Sequence, residues 1–189
     1  GNALLFTGPF RYTPNLRGIE LFLERIYPRL LEKVADLELW ILAGRGGAEI
    51  VADRSCFRQP GVTVFDYTEH PGRYLERCAV TLNPVWGIRG SSLKLLESVA
   101  AGRVCVSTIE GARGFLEEHW SSLVTVERVE DMAGPLEHLL LDTAYRHSIE
   151  RLPEVALEAY TWQHSGKLLG MLYEQLMQGP RPSEIVGAS

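Results

Sequence analysis

Residues Pro84-Val-Trp-Gly-Ile-Arg-Gly-Ser-Ser-Leu-Lys-Leu-Leu-Glu97 run a glycine-tipped loop straight into a helix start that carries two hydroxyls, an amine and a carboxylate. Backbone N–H groups at a helix N-terminus are unpaired and partially positive, so they suit a phosphate. Ser91 and Ser92 add donors, and Lys94 adds a full charge within the first turn. Glu97 lies about two helical turns beyond Gly90, on the same face. A carboxylate there can accept hydrogen bonds from a vicinal diol such as a ribose. The segment therefore has something for each end of a nucleoside diphosphate. Taken alone, Lys94 and Glu97 are an i,i+3 surface pair worth a few tenths of a kcal/mol, so the surrounding elements must decide.

Other candidate signals are weaker. Gly44-Arg-Gly46 lacks the third glycine of a dinucleotide fingerprint and reads as a tight turn. His70, His119, His138, His147 and His164 show no metal-ligand spacing, so no metal is expected. Glu117 and Glu118 read as a solvated face. Cys56, Cys78 and Cys105 are odd in number and far apart, which fits structural thiols in a reducing compartment. The net charge of -5 argues against nucleic acid as a partner, so an anion must be held by a local cluster of cations.

The 189 residues suffice for one good-sized core, and 46% hydrophobic with 23% charged content is ordinary for a globular chain. No apolar run reaches the roughly 18 residues of a membrane helix, and no leader pattern is evident. Strand and helix signals alternate. Strands are predicted at Ala3–Thr7, Leu37–Ala43, Val62–Asp66, Ala79–Asn83, Val104–Thr108 and Leu123–Glu127. Ile19, Phe22, Leu23, Ile26, Leu30 and Val34 follow helical spacing. Further helices are predicted at Pro71–Arg77, Ser91–Ala101, Asp131–Leu141, Thr143–Tyr160 and Trp162–Met177, with Pro153 breaking or kinking the one at Thr143–Tyr160. Trp162, Leu169, Leu172 and Leu176 share a helical face and are expected to pack. Residues 1–177 read as one domain, and 178–189 as a flexible tail.

Alternating strands and helices imply an α/β doubly wound, Rossmann-like parallel sheet of about six strands, helices on both faces and a helical C-terminal segment. The commonest strand order, 3-2-1-4-5-6, puts the ligand crevice between strands one and four. It would bring the helix start beside Arg11 and Arg17 of the first loop, read as Gly8–Arg17. Arg11, Arg17, Arg45, Arg89, Lys94 and Arg113 all fall at strand carboxyl ends, which predicts a positive rim in an acidic chain.

The run Gly90-Ser-Ser-Leu-Lys-Leu-Leu-Glu-Ser-Val-Ala-Ala-Gly-Arg-Val-Cys-Val-Ser-Thr108 resembles the signature of retaining "group 1" glycosyltransferases of the GT-B fold. Leu5-Phe-Thr-Gly-Pro-Phe-Arg-Tyr-Thr-Pro-Asn-Leu-Arg-Gly18 is similar to the start of the second domain in that family, and Glu110-Gly-Ala-Arg-Gly114 and Tyr160-Thr-Trp162 also fit. The resemblance covers about residues 3–177 and identifies them with one half of a GT-B fold. It implies that Glu97 binds the ribose of a nucleotide-sugar donor, while Lys94 and Arg17 act on the pyrophosphate as the catalytic cations. Gly8 lets the first loop approach the donor, joined there by Arg11. Gly90, Ser91 and Ser92 supply the helix-start donors, Asp66 and Tyr67 lie near the base, and Gly111 belongs to the donor-binding set. Arg89 stands eight positions before Glu97, where many relatives carry a second glutamate, and so meets phosphate or an anionic sugar instead.

The resemblance implies a hexosyltransferase acting in polysaccharide or envelope assembly, with no cofactor beyond the donor itself. Its acceptor is a glycan or lipid-linked molecule, bound mainly by an N-terminal domain that this chain lacks. The chain thus reads as a piece of a longer cytoplasmic protein, associated through that domain with the inner face of a membrane and inactive by itself. Half of a GT-B-like nucleotide-sugar epimerase and a non-catalytic nucleotide-binding or interaction module remain alternative readings of the same residues.

Overall fold

Six short apolar runs pair as one parallel sheet in the order β3-β2-β1-β4-β5-β6. They are β1 (Ala3–Thr7), β2 (Glu38–Leu42), β3 (Val62–Phe65), β4 (Val80–Asn83), β5 (Val104–Thr108) and β6 (Leu123–Val126). The computed structural model describes residues 1–88, 90, 92–116, 120–150 and 157–178. It divides into two units, Gly1–Leu152 and Pro153–Ser189. The Rossmann-like α/β layer and its strand order are as expected from the alternation of elements.

Strand burial explains why the sheet is covered on both faces. Leu4, Phe6, Leu39, Ile41, Val80, Leu82, Val104 and Val106 point to one face and form the main core with helices α1 (Thr13–Arg25), α2 (Tyr27–Leu31) and α6 (Ala133–Leu141). On the other face Leu5 and Leu42 pack with Trp40, Phe65 and the residues Tyr74 and Leu75 of α4 (Gly72–Arg77), a helix numbered after the single turn α3 (Gly47–Ile50). Helix α5 (Leu93–Ala100) buries Leu95, Ser98 and Val99, and Ser98 shares a hydrogen bond with Thr81 of β4. Cys78 and Cys105 are free and buried, and burial pushes their thiols up to about 12 and about 11.

Several boundaries differ from expectation for local reasons. Helix α1 begins at Thr13, with Pro14 in its first turn, so the first loop is shorter than Gly8–Arg17. The helical spacing through Val34 is divided at Ile26 because Pro28 has no N–H to continue the ladder. The helix expected at Ser91–Ala101 begins at Leu93, with Ser92 as its N-cap. Helix α7 (Thr143–Ile149) starts at an Asp142 cap and stops well before Tyr160. Pro153, Glu117, Glu118 and His119 lie outside the described residues, as does 179–189.

Tyr27 locks α2 to two loops. Its hydroxyl donates to the Pro60 carbonyl at 2.9 Å and to the Leu37 carbonyl at 3.3 Å, and burial, aided by Glu38, pushes the phenol up to about 12. Tyr27→Phe leaves buried carbonyls short of a donor, which costs about 1–2 kcal/mol. Thermal melts should fall by about 2–6 °C; an unchanged midpoint would contradict this reading of the contact.

In the second unit, Thr161 caps α8 (Trp162–Gln178) by accepting the His164 N–H at 3.1 Å. Within this unit the apolar face expected to pack is not covered: Trp162 is 90% exposed and Leu176 68%, and Leu169 and Leu172 are also open. Helical spacing creates an apolar stripe, but the described part of this unit adds to it only a short 3-10 turn at Glu158–Tyr160.

Candidate functional site

Strand order reverses between β1 and β4, so the loops leaving these two strands diverge and open a crevice at their carboxyl ends. A cavity of about 690 Å³ fills it. Its floor is Thr7, Gly8 and Pro9, one wall is Tyr12, Pro14 and Asn15 at the start of α1, and the other is Val85, Gly87 and Ile88 with Ser92 and the first turn and a half of α5. A smaller hollow of about 150 Å³ shares Thr7, Gly8, Pro9 and Glu97 and continues past Gly44 to Asp66, Tyr67 and Thr68. Glu97, an exposed carboxylate, stands where the two spaces join.

Lys94 turns the other way, beneath the first loop. Its Nζ donates to Asn15 Oδ1 at 2.6 Å and lies 4.6 Å from the centre of the Phe6 ring. Burial pulls the amine down to about 8, partly opposed by the Cys105 thiol and the Glu97 carboxylate. This approach requires a glycine at position 8. A Cβ there would stand 2.6 Å from Asn15 Nδ2 and 2.9 Å from Lys94 Nζ.

The glycine loop is held from behind. Asn83, at the end of β4, donates to Ser107 Oγ at 3.0 Å and to the Gly111 carbonyl at 2.9 Å, while its own oxygen accepts from Ser92 at 3.4 Å. Thr108 donates to the Val85 carbonyl, and the Gly87 N–H donates to Glu110 at 2.7 Å. Ser92 makes no side-chain cap to α5. Its hydroxyl belongs to the Asn83 network, so the start of the helix is positioned without being closed by its own side chain.

The residues singled out in the sequence therefore separate. Gly8, Ser92, Lys94 and Glu97 line the larger cavity, and Asp66 and Tyr67 line the smaller. Asp66 also accepts the Ala48 N–H at 2.8 Å, and the Arg45 guanidinium lies 4.3 Å over the Tyr67 ring. Gly90, exposed with φ +82°, turns the loop ahead of the helix. Arg89 and Ser91 lie outside the described residues. Arg17 is corrected: it sits on α1, not in a loop, and is exposed outside the lining of either space. Asn15 and Gly18 face inward, and a residue two positions from Asn15 is about 200° around the helix. Arg11 is exposed, with its guanidinium near Gly46. Gly111 packs against Asn83, Ser107 and Thr108, where any side chain would collide, and lines neither space. Among the described residues, the expected positive rim thus contributes one half-buried amine, that of Lys94, to the cavity.

Asn15 and Asn83 were not anticipated. A signal existed for each: an amide on the apolar face of a helix, and an amide closing an apolar strand, both need buried partners. Among the described residues there is no group of three or more His, Cys, Asp and Glu side chains that could hold a metal, and no helix long and apolar enough to cross a membrane.

Fold and cavity define a Rossmann-like domain with an open crevice at the switch point of a parallel sheet. Residues 1–142 match the family model described as "Glycosyl transferases group 1", and the chain belongs to that family. No curated protein matches it in sequence. Among solved structures it is similar to TarM of S. aureus, with TM-score 0.70 and 14% identity over 94% of this chain and 35% of that one. The crystal structure of HepE of Anabaena in complex with UDP and glucose gives TM-score 0.68 and 11% identity over 92% of this chain and 48% of that one. The C-terminal domain of LpcC, a glycosyl transferase group 1 family protein from Francisella tularensis, gives TM-score 0.58 and 16% identity over 79% and 80%. The chain spans between 35% and 49% of the length of the larger structures it matches.

Proposed function

We propose that this chain is the donor-binding half of a retaining glycosyltransferase, taking a nucleoside-diphosphate sugar at the β1–β4 switch point. The observation that carries this reading is Glu97 at the junction of two spaces with the Lys94 amine beside it in the larger one. In that arrangement Glu97 accepts the ribose hydroxyls and the base enters the smaller hollow towards Tyr67 and Thr68. The diphosphate lies across Lys94 and the first amides of α5, and the sugar occupies the remainder of the larger cavity. As the glycosidic bond loosens, charge accumulates on the leaving diphosphate. The Lys94 ammonium and the helix start stabilise it without reorganising. The mechanism has no metal-dependent step. The acceptor, a glycan or lipid-linked molecule, is held by a separate domain, so the chain by itself is not expected to transfer sugar.

Titrating the chain with UDP, GDP, ADP and inorganic pyrophosphate tests this. One nucleoside diphosphate should bind, and Glu97→Ala should weaken it by about 10- to 100-fold, the range of hydrogen bonds to a charged group. Pyrophosphate, which has no ribose, should lose little. If no nucleoside diphosphate bound, or if Glu97→Ala bound all of them as the parent does, the reading would fall.

A further inference from the structure

The amine of Lys94 has a single protein acceptor at hydrogen-bond distance among the described residues, and it is an amide. Asn15 is 5% exposed, its Oδ1 accepts from Lys94 Nζ at 2.6 Å, and its Nδ2 donates to the Pro9 carbonyl at 3.1 Å. Both ends of the amide are engaged, so its orientation is set by the first loop and not by the ammonium. An ammonium has three donors. One points at Asn15, the Phe6 ring lies against the group, and Lys94 is itself part of the cavity lining.

We propose that Asn15 is a positioning residue for Lys94, setting where the amine sits and the pH range over which the site holds a diphosphate. The inference rests on the donor-site reading above and adds a residue and a pH dependence to it. An aspartate in the same place would reach the amine equally well. It would also neutralise the ammonium and set a negative charge against the incoming phosphates. The amide orients the cation and leaves its charge for the ligand.

Among the described residues few groups face Lys94: Glu97 on α5 and the Cys105 thiol on β5 are its titratable neighbours, and Asn15, Phe6 and Gly8 bring no charge. Burial pushes Cys105 up to about 11, so it is uncharged across the working range. Lys94, pulled down to about 8, loses its proton in the empty site as pH rises above that value. A bound diphosphate favours the charged amine and raises its pKa, so the complex holds more protons than the free protein above pH 8. Affinity must then fall with rising pH, by up to about tenfold per pH unit for one linked proton.

The test is UDP affinity from pH 7.5 to 9.5, above the nucleotide's own last phosphate ionisation near about 6, for the parent chain, Asn15→Asp and Asn15→Ala. The parent should bind progressively more weakly above pH 8. Asn15→Asp should bind about tenfold or more weakly at pH 7.5, and its affinity should stay flat to higher pH because the new carboxylate holds the proton on Lys94. Asn15→Ala should be weaker throughout. Asn15→Asp with the parent's pH profile, or Asn15→Ala with the parent's affinity, would overturn the proposal. If Asn15→Ala does not fold, the near-isosteric Asn15→Asp carries the test. If the parent binds no nucleotide, the donor-site reading fails separately. The Lys94 titration, followed by NMR in the ligand-free parent and Asn15→Asp, still decides the coupling: an unmoved midpoint refutes it.

Discussion

Lys94→Ala should lower the turnover of the proposed intact transferase by about two to three decades, the usual consequence of removing one preorganised donor to a developing oxyanion, while Lys33→Ala should leave it within about twofold. The two lysines differ in surroundings, not in charge. Lys33 pairs with Glu137 at 2.6 Å on the surface, with 53% and 32% of the side chains exposed. Such a pair is worth about 0–1 kcal/mol. Lys94 is half-buried, with its amine 4.6 Å from the centre of the Phe6 ring, and a partly desolvated charge acts on a phosphate more strongly than one at the open surface. The loss should appear mainly in kcat, because the leaving diphosphate is more charged in the transition state than in the bound donor. Stability supplies an independent check. Lys94 is depressed from 10.5 to about 8 on folding, so between those values the unfolded chain holds more protons. The parent therefore gains stability as pH rises from about 8 towards 10.5, and loses that increment as pH falls. Lys94→Ala should lack this slope. Equal turnover for the two alanine variants would remove Lys94 from the chemistry.

Gly18→Ala should destabilise the first unit by about 2 kcal/mol or more, lowering the melting midpoint by about 4–8 °C. On an open helix face the same change gains up to about 1 kcal/mol of helix propensity. Here the added Cβ would fall 2.0 Å from the Pro84 carbonyl oxygen and 2.9 Å from its carbon. Both are backbone atoms, so relief requires α1 and the loop after β4 to move apart. These are the opposite walls of the cavity, carrying Asn15 on one side and Lys94 on the other. UDP affinity should therefore drop even in the folded fraction. Gly134→Ala in α6, where nothing lies within 4 Å, is the control and should be neutral or slightly stabilising. A Gly18→Ala variant as stable as the Gly134→Ala variant would show that the two walls are not in rigid contact.

The sheet was legible because a buried parallel strand leaves a strong local mark. Each of the six apolar runs is bounded by turn residues, and each predicted strand coincides with an observed one to within a residue or two at its ends. That Glu97 and Lys94 share a cavity lining was legible for a similar reason, since a glycine loop feeding a hydroxyl-rich helix start is a contiguous pattern. Arg17 was misplaced because the apolar periodicity of α1 first shows at Ile19, while the helix begins at Thr13. Of the six residues Thr13 to Gly18 only Leu16 is a large apolar one, too few to set a phase, so a helical arginine looked like a loop arginine. Gly111 looked like a ligand-facing glycine, yet its role is to leave room for the Asn83 network.

Sequence alone determined the layer architecture, the family and the segment that lines the cavity, because all three are written in local spacing and in runs of contiguous residues. Tertiary structure decided which cation enters the cavity and in what state. Asn15 and Lys94 are 79 positions apart, and their hydrogen bond exists only because β1 and β4 lie side by side. Depth of burial, and with it the depressed charge of Lys94, is a property of that packing, and no spacing within either segment encodes it.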